Sequence, residues 1–419
     1  MVNDRERLLF VTPWPPFGGR SGGQIVSEAF LTLYAERFEV DLIEGVDSAA
    51  DAGRPSLPQG VHVQAEVPLK LQFGHHVLYN LGIGLREWIR GRSLRAGKLA
   101  TQSMRDAVAA ALGTRHYDFV HIDKHLMVDI LPRGLPVPVV VAAQDVERDV
   151  LQRLASRGRT VVHRLAARIE GKAVVRAEAS ALNRGDAVLA MSDRDADVFA
   201  HQYGMERQRI VPVYPSFEGV PPGPESPPAQ RGVLLLGSLA SPGRCEGVRW
   251  FLEEVWPIIH QSMPDAFLNI AGASPPLSIR KHDGRRGVSV LGFVAKLEPL
   301  FPVTRVVGVP LRSGAGIRVK IIEMMWRGIP VVSTTVGTTG LLQETRRCVE
   351  TGDSPGGFAR ATVRLLTDDA VWMARSDEAL QHVRHAYSRK AARKALFGAL
   401  EIARGHARVR EHDGAPPTR

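Results

Sequence analysis

Three charged side chains mark the most informative stretch of the chain, LRSGAGIRVKIIEMMWRGIPVVST at residues 311–334. Arg318 and Lys320 fall in the first turns of a predicted helix, where cations oppose the helix dipole and therefore call for an anionic partner. Glu323 follows on the same face as Lys320, and a carboxylate in this position suits the two vicinal hydroxyls of a ribose. The alternative is that Glu323 only pairs with Lys320 or Arg327 on a surface helix.

Small residues precede these charges. Gly314 and Gly316 carry no side chain and therefore let a ligand approach the backbone closely. The start of the following helix presents unpaired N–H groups and a partial positive charge, which suit phosphate oxygens. The spacing predicts a site for the diphosphate and ribose of a nucleotide.

Short β-branched segments alternate with longer amphipathic segments along the chain, a pattern typical of parallel sheets covered by helices. Its 419 residues suit two such domains. The proline- and glycine-rich segment 214–232 predicts a linker, because prolines interrupt helices and central strands. The predicted organisation is an N-terminal domain over 1–213, this linker, a C-terminal domain over 233–385, a C-terminal helix over 386–405 that can cross back to the N-terminal domain, and a frayed tail over 406–419.

The pattern predicts an α/β fold class, with two doubly wound domains facing each other across a cleft. Open parallel sheets bind ligands at the carboxyl ends of their strands. Three glycine-containing loops, at residues 15–23, 237–243 and 312–316, follow predicted strands. We expect these loops to converge at the cleft.

The composition restricts the class of protein. Hydrophobic residues make up 44% and charged residues 23% of the chain, as in ordinary globular proteins. The cysteines, Cys245 and Cys348, are too few for a disulfide framework or a four-cysteine metal site. Neither a signal peptide nor a membrane-spanning run stands out, which predicts a cytoplasmic location. The net charge of +10 favours anionic or phosphorylated partners, but no nucleic-acid-binding motif accompanies it.

The segment RSGAGIRVKIIEMMWRGIPVVSTTVGTTGL resembles the signature of GT-B-fold glycosyltransferases of the group 1 type, in its G-x-G-x-R-x-K-x-x-E branch. The resemblance covers nearly the whole chain. Further similar segments, in chain order, are RLLFVTPWPPFGGRSGG, AQDVERDV, GDAVLAMSDRDADVF, LLLGSLASPGRCEGVRWFLEEVWPIIHQSMPDAFLNIAG and GVSVLGFVAKLEPLF.

This resemblance implies a pair of Rossmann-like domains and assigns roles to individual residues. Arg318 and Lys320 would hold the donor diphosphate and act in catalysis, and Glu323 would bind the ribose. Other donor-binding positions would be Gly22, Gly23, Gly237, Ser238, Gly314 and Gly316. The implied co-substrate is a nucleotide-sugar of the UDP or GDP type, with no separate cofactor.

Two features depart from the family pattern. Ala315 stands where many relatives carry a second glutamate that contacts the donor sugar. Ser238 and Glu246 stand where relatives with a G-R…K-G pair carry two phosphate-binding cations. Arg244 or Arg312 is the candidate replacement at the donor phosphates, and a solvated arginine is the alternative for each.

A general base for the acceptor is expected in the N-terminal domain. His121 lies near the end of the predicted strand YDFVHI, with Asp123 and Asp145 nearby in the pattern. The alternative is a histidine that only packs or hydrogen-bonds. No DxD-like pair of carboxylates occurs in a suitable loop, so the cations of the donor site are expected to replace a bound metal.

A membrane contact is a further hypothesis. The stretch HHVLYNLGIGLREWIRGRSLRAGK combines Leu78, Leu81, Leu85, Trp88 and Ile89 with a basic trailing segment. Such a stretch can enter a lipid surface at the inner face of the membrane and reach a polyprenyl-linked acceptor. Burial of the same residues in a core is the equal alternative.

The predicted function is a hexosyltransferase-like enzyme of polysaccharide biosynthesis. It would move a sugar from a nucleotide-sugar to a glycan, lipid-linked or small-molecule acceptor, with retention and without a metal. A nucleotide-sugar-binding protein without catalysis and a nucleotide-sugar epimerase on the same fold are the alternatives. Only the net charge favours a nucleic-acid binder, and no nucleic-acid partner is expected.

Overall fold

The computed structural model describes residues 5–18, 21–46, 56–69, 82–83, 86–89, 92–156, 161–217, 223–239, 242–313 and 317–412. The chain forms two compact units. The first comprises Met1–Ser216 and Ala392–Arg419, and the second comprises Phe217–Ala391. Each unit is built on its own parallel sheet.

The first unit contains a seven-stranded sheet in the order β3-β2-β1-β4-β5-β6-β7. All neighbouring strands run parallel, and its central strands are buried on both faces, as is usual for sheets covered by helices. The strands are β1 (Arg7–Thr12), β2 (Glu39–Val46), β3 (Val61–Pro68), β4 (Phe119–Ile122), β5 (Val139–Ala143), β6 (Ala187–Ala190) and β7 (Ile210–Pro212).

Helices of the first unit begin where small polar residues cap them. Ser21, Thr101 and Ser192 each accept a hydrogen bond from a backbone N–H of the first turn, which satisfies donors that the helix itself leaves unpaired. The helices are α1 (Gly22–Tyr34), α2 (Leu94–Leu99), α3 (Gln102–Thr114), α4 (Glu147–Ser156), α5 (Val161–Arg184) and α6 (Asp193–Tyr203).

The second unit contains a six-stranded sheet in the order β10-β9-β8-β11-β12-β13. Its neighbouring strands are also parallel. The strands are β8 (Gly232–Leu236), β9 (Phe267–Ala271), β10 (Val288–Gly292), β11 (Thr304–Val309), β12 (Val331–Ser333) and β13 (Glu350–Thr351).

The helices of the second unit include a π-helical stretch, Phe251–Val255, which joins two α-helices just before Pro257. Proline has no backbone N–H to donate, so the regular hydrogen-bond ladder cannot continue through it. The helices are α7 (Pro242–Trp250), α8 (Trp256–Ser262), α9 (Leu277–Arg280), α10 (Val319–Trp326), α11 (Gln343–Arg347), α12 (Pro355–Thr367), α13 (Asp369–Ala386) and α14 (Arg389–His412), of which α14 belongs to the first unit from Ala392 onwards.

The strand order reverses beside the first strand of each sheet. From β1 the chain runs outwards through β2 and β3 and then returns to the other side of β1 with β4. In the second unit β8, β9, β10 and β11 repeat this course. The carboxyl ends of β1, β4, β8 and β11 therefore flank the switch points at which open α/β sheets bind ligands. The described parts of the three predicted glycine loops follow β1, β8 and β11.

The C-terminal helix is longer than the sequence predicted. Residues 406–412 belong to α14, where a frayed tail was expected. Asp186 explains the difference, because its Oδ1 lies 2.9 Å from Nδ1 of His406 and 3.0 Å from Nη1 of Arg410. Ala407 between them is buried. The end of the helix is therefore tied to the base of β6.

Part of the predicted lipid-facing stretch is described. Trp88 donates from Nε1 to Oε2 of Glu170 at 2.8 Å, whereas the side chain of Ile89 is 77% exposed. Among the described helices, none is both long and apolar enough to cross a membrane. Outside the described residues lie Leu78, Leu81 and Leu85, and the membrane contact stays a prediction.

Candidate functional site

The loop after β8 turns through glycines. Gly237 has φ of +129°, a conformation that residues with side chains rarely adopt. A Cβ atom on Gly272, after β9, would lie only 2.1 Å from the carbonyl oxygen of Gly237. The chain can therefore bring the ends of β8 and β9 together only because both positions lack a side chain.

Arg244, in the first turn of α7, lies over this loop. A Cβ on Gly237 would stand 3.0 Å from Cδ and 3.2 Å from Cζ of Arg244. The Nη1 group donates to the carbonyl oxygen of Ser238 at 3.1 Å. Burial lowers the pKa of Arg244, and no carboxylate oxygen of the described residues lies within 4.0 Å of its guanidinium. A half-buried cation is thus held above the glycine turn.

The segment after β11 packs closely against α7. A Cβ on Gly247 would lie 2.1 Å from the carbonyl oxygen of Pro310. Two residues further along, the Cζ atom of Arg312 lies 4.9 Å from the ring centroid of Trp250, a cation–π distance. This contact places the Arg312 guanidinium beside the same helix that carries Arg244.

The helix α10 carries Lys320 and Glu323, and Arg318 directly precedes it. Arg318 stands at its N-cap, and no side chain caps the first turn. Nζ of Lys320 lies 4.0 Å from Oε2 of Glu323, and Nη2 of Arg327 lies 3.6 Å from Oε1. Both distances exceed those of hydrogen bonds. Glu323 therefore lies within salt-bridge distance of both Lys320 and Arg327, the two partners that the pairing alternative named.

The apolar residues of α10 are buried, which fixes the face that the charges occupy. Ile321, Ile322, Met324 and Met325 have no exposed surface, while the side chains of Lys320 and Glu323 remain 33% and 17% exposed. Most of this helix is therefore enclosed, and Lys320 and Glu323 lie on its partly exposed side. Gly314 and Gly316, predicted to approach the phosphates, lie outside the described residues.

In the first unit, Gly22 and Gly23 open α1. Ser21 and Gln24 form a capping box around this helix start. A Cβ on Gly23 would lie 2.7 Å from Cζ2 of Trp14 and 2.7 Å from Oε1 of Gln144. The absence of a side chain at Gly23 therefore has a packing reason, independent of any ligand.

A buried carboxylate joins the strand ends of the first unit. Asp123, directly after β4, accepts from Oγ1 of Thr12 at 3.0 Å and from Nε2 of Gln144 at 3.1 Å. It also accepts from the hydroxyl of Ser27, and this hydroxyl receives the indole N–H of Trp14 at 2.9 Å. The network fixes the ends of β1, β4 and β5 against the first turns of α1.

His121 lies in the core of the first unit and is fully buried. Its ring stacks on Phe10 with centroids 4.4 Å apart, and Nδ1 lies 3.1 Å from the hydroxyl of Tyr34. Nε2 lies 3.7 Å from Oδ1 of Asp123. Burial lowers the pKa of His121, although Asp123 opposes this shift. His121 does lie near the end of its strand, β4, but its ring is enclosed in the core, which favours the packing alternative over a general base.

A second group of charged residues follows β4 and β5, and of this group the sequence pattern indicated only Asp145. Nζ of Lys124 lies 3.1 Å from Oδ2 of Asp145 and 2.9 Å from Oε1 of Glu147. Asp195 lies in the first turn of α6, and its Oδ2 is buried without a hydrogen-bond partner among the described residues. Burial raises the pKa of Asp195. In the sequence, this group could have been found from the polar residues that directly follow the buried strands β4 and β5.

Within the part of the chain that the structure describes, no group of three or more histidine, cysteine, aspartate or glutamate side chains is arranged to hold a metal ion. Cys245 and Cys348 are free thiols.

Comparison with known proteins adds a family match in the second unit. Residues 230–368 match the family model described as Glycosyl transferases group 1. A Klebsiella pneumoniae protein, described as an uncharacterized 44.6 kDa protein in the cps region, is 27% identical over 117 residues. That match covers 26% of this chain and only 30% of the relative's length.

Solved structures share the fold over almost the whole chain. Sucrose-phosphate synthase from Thermosynechococcus elongatus has a TM-score of 0.67 at 14% identity, covering 97% of this chain and 100% of its own. WaaG, a glycosyltransferase involved in lipopolysaccharide biosynthesis, has a TM-score of 0.63 at 16% identity, covering 95% and 100%. HepE of Anabaena, in complex with UDP and glucose, has a TM-score of 0.58 at 15% identity, covering 94% and 99%. The predicted fold class, with two doubly wound α/β domains, is confirmed.

Proposed function

We propose that the chain is a glycosyltransferase of the group 1 type and that its donor is a nucleoside diphosphate sugar, as the family match over residues 230–368 and the shared two-domain fold support. One observation carries this proposal. The start of α10 follows the switch-point strand β11 and presents Arg318 and Lys320 beside the flanked carboxylate of Glu323. Cations suit a diphosphate, and a carboxylate suits ribose hydroxyls.

The proposed mechanism uses these charges on the leaving group. Breaking the sugar–phosphate bond develops positive charge on the sugar ring and negative charge on the departing diphosphate. Arg318, Lys320 and the N–H groups of the first turn of α10 would bind the diphosphate more strongly as its charge grows. Fixed dipoles and cations that act in this way lower the barrier without reorganising during the reaction.

We also propose the stereochemistry of the reaction, its independence of a metal and the classes of its donor and acceptor. We infer that the sugar is transferred with retention and that the cations of α10 make a metal unnecessary. The HepE complex with UDP-glucose supports a uridine nucleotide as the first donor to test. The role of WaaG in lipopolysaccharide biosynthesis supports a glycan or lipid-linked acceptor.

Ligand screening tests this proposal directly. Thermal unfolding is measured with UDP-, GDP-, ADP- and dTDP-sugars, and the sugar that binds is then assayed for hydrolysis and transfer with and without EDTA. A ligand at about 100 times its Kd should stabilise the protein by about 2.7 kcal/mol. Activity that survives EDTA is expected. If no nucleotide-sugar stabilises the protein, the donor assignment is wrong.

A nucleotide-sugar-binding protein without catalysis is the second candidate. Ser238 and Glu246 in place of two cations favour it. The same screen separates the two, since such a protein would be stabilised by a nucleotide-sugar yet release neither free sugar nor nucleoside diphosphate. An epimerase would instead return an isomer of the donor.

A further inference from the structure

Positive charge is concentrated at one edge of the second unit. The outermost strand there is β10, which pairs with β9. Residues 280–286 lead into this strand, and four of them are exposed cations: Arg280, Lys281, Arg285 and Arg286. Together these four side chains form the basic edge of the unit.

The carboxylates beside the basic edge neutralise little of its charge. Nζ of Lys281 lies 3.3 Å from Oε1 of Glu253, while Oδ1 of Asp283 accepts from the backbone N–H of Val290 at 2.8 Å. The three arginines have no carboxylate oxygen within 4.0 Å among the described residues. Burial and then the neighbouring cations lower the pKa of His282, against the opposing effect of Glu253. The local potential is therefore positive.

The turn that carries two of these arginines is held in a fixed conformation. Arg286 has φ of +50°, in the left-handed region that residues with side chains rarely adopt. Nε1 of Trp256 donates to the carbonyl oxygen of Arg286 at 2.9 Å, and the N–H of Gly284 donates to the carbonyl oxygen of Val288 at 2.9 Å. An arginine thus stands where glycine would fit more easily, which points to a use of its guanidinium.

Exposed apolar side chains accompany the basic edge. Leu277, in the short helix α9, is 73% exposed, and Leu291, in β10, is 39% exposed. A single exposed leucine is ordinary on a protein surface. Apolar side chains accompanied by arginines rather than lysines, however, match the composition of protein interfaces.

The position of the basic edge restricts its partner. The turn with Arg285 and Arg286 precedes the amino end of β10, whereas open α/β sheets bind small ligands at the carboxyl ends of their strands. The same turn already occupies the carbonyl oxygen of Val288 and the N–H of Val290, which disfavours an added peptide strand. A symmetric dimer through this edge would bring cations against cations. Helix α9 has only four residues, unlike the amphipathic helices that lie on lipid surfaces.

We propose that the basic edge is a docking surface for an acidic peptide segment of a partner protein. The forked N–H donors of its arginines match the geometry of carboxylates, and Leu277 and Leu291 offer apolar contacts beside them. Charge complementarity therefore selects the partner, and the apolar contacts favour segments that also carry apolar side chains. The surface is separate from the donor site, so this inference stands whether or not the chain transfers a sugar.

Binding of labelled poly-L-glutamate and of a labelled glutamate–tyrosine copolymer to the full chain at low salt tests the proposal. Arg285→Glu combined with Arg286→Glu should weaken binding of both polymers by about 10- to 100-fold, because like charges then face each other. Arg360→Glu combined with Arg364→Glu is the matched control. It changes the net charge equally, and both arginines are exposed on α12, which follows β13 at the other edge of the sheet. Leu277→Ser should weaken binding of the copolymer alone, since only the copolymer offers apolar side chains.

The outcomes distinguish a docking surface from general attraction between charges. Equal polymer affinities of the two double variants would overturn the inference, because binding would then follow net charge alone. A wild type that binds neither polymer would overturn it too. So would binding to phosphatidylglycerol vesicles, but not to the polymers, that Arg285→Glu with Arg286→Glu abolishes, because the surface would then face a membrane. Thermal unfolding shows whether the variants fold, and if that double variant does not, Arg280→Glu against Arg364→Glu decides by the same criterion.

Discussion

Nζ of Lys124 lies 2.9 Å from Oε1 of Glu147 in the interior of the first unit. Nε of Arg95 lies 2.7 Å from the other carboxylate oxygen, so both oxygens of this buried glutamate face a cation. Asp145 approaches Lys124 from the more exposed side at 3.1 Å. The ion pair of Lys124 and Glu147 therefore combines a high desolvation cost with close opposite charges. Its contribution to the stability of the protein depends on both side chains staying charged.

Acid should weaken the first unit through Glu147. Burial alone would raise the pKa of Glu147, but Lys124 and Arg95 lower it from 4.5 to about 2. A lowered folded pKa means that the unfolded chain binds more protons in this window, so stability should fall as pH decreases from about 4.5 to about 2. Glu147→Gln should cost about 3–5 kcal/mol near neutral pH, because it removes the buried carboxylate between Lys124 and Arg95 and leaves Lys124 only its more exposed partner, Asp145.

Urea denaturation from pH 2 to pH 7 measures both effects. Asp145→Asn is the matched control, since it removes the more exposed partner of the same lysine and should cost about 1 kcal/mol or less. Equal losses in the two variants would contradict the role given to burial.

The two-domain fold was predictable because β-branched runs and amphipathic segments alternate with the period of strands and helices. The loops after β1, β8 and β11 could be placed for the same reason, since parallel strands end on one edge of the sheet. The environment of single residues was less accessible. His121 occupies a strand that is buried on both faces, so its place in the chain did not reveal whether its ring meets solvent. Likewise, the sequence did not reveal that Arg244 has no carboxylate within 4.0 Å among the residues that the structure describes.

Removing the charge of Lys320 should slow sugar transfer. We expect Lys320→Ala to lower kcat by about 10²-fold, as loss of one preorganised donor at a developing charge does. Steady-state kinetics with the donor found by screening measure this effect. Lys281→Ala is the control, because Lys281 is an exposed lysine of the same unit whose contact is with Glu253 at 3.3 Å. Wild-type turnover in Lys320→Ala would remove this residue from the mechanism.

The C-terminal helix should stabilise the first unit through its buried face. Leu400 in α14 has no exposed surface, whereas Val409 on the same helix is 58% exposed. Leu400→Ala should therefore cost about 2–5 kcal/mol of unfolding free energy, and Val409→Ala should change it by about 0.5 kcal/mol or less. Chemical denaturation of both variants provides the comparison. A small effect of Leu400→Ala would show that the helix contributes little to this unit.

Glycine at the start of α1 should be required by packing. In Gly23→Ala the new methyl group would meet Trp14 and Gln144 at 2.7 Å, and such overpacking costs about 1–3 kcal/mol. Gly113→Ala is the opposite case, because nothing lies within 4 Å of a Cβ at that helical position, and it should stabilise α3 by about 0.5–1 kcal/mol. Thermal unfolding distinguishes the two signs, and a stabilising Gly23→Ala would show that the indole of Trp14 moves aside.

Replacing His121 by phenylalanine should separate packing from proton transfer. A phenyl ring can retain the stacking on Phe10, while the hydroxyl of Tyr34 loses its partner at 3.1 Å, which costs about 1–3 kcal/mol of stability. Tyr34→Phe removes the same hydrogen bond and keeps the imidazole, so it controls for this loss. If His121 only packs, both variants should keep kcat within about 10-fold of the wild type, whereas loss of a general base lowers it by about 10²- to 10⁴-fold. A selective collapse of kcat in His121→Phe, with loss of the acidic limb of the pH–rate profile, would restore the general-base role that its burial argues against.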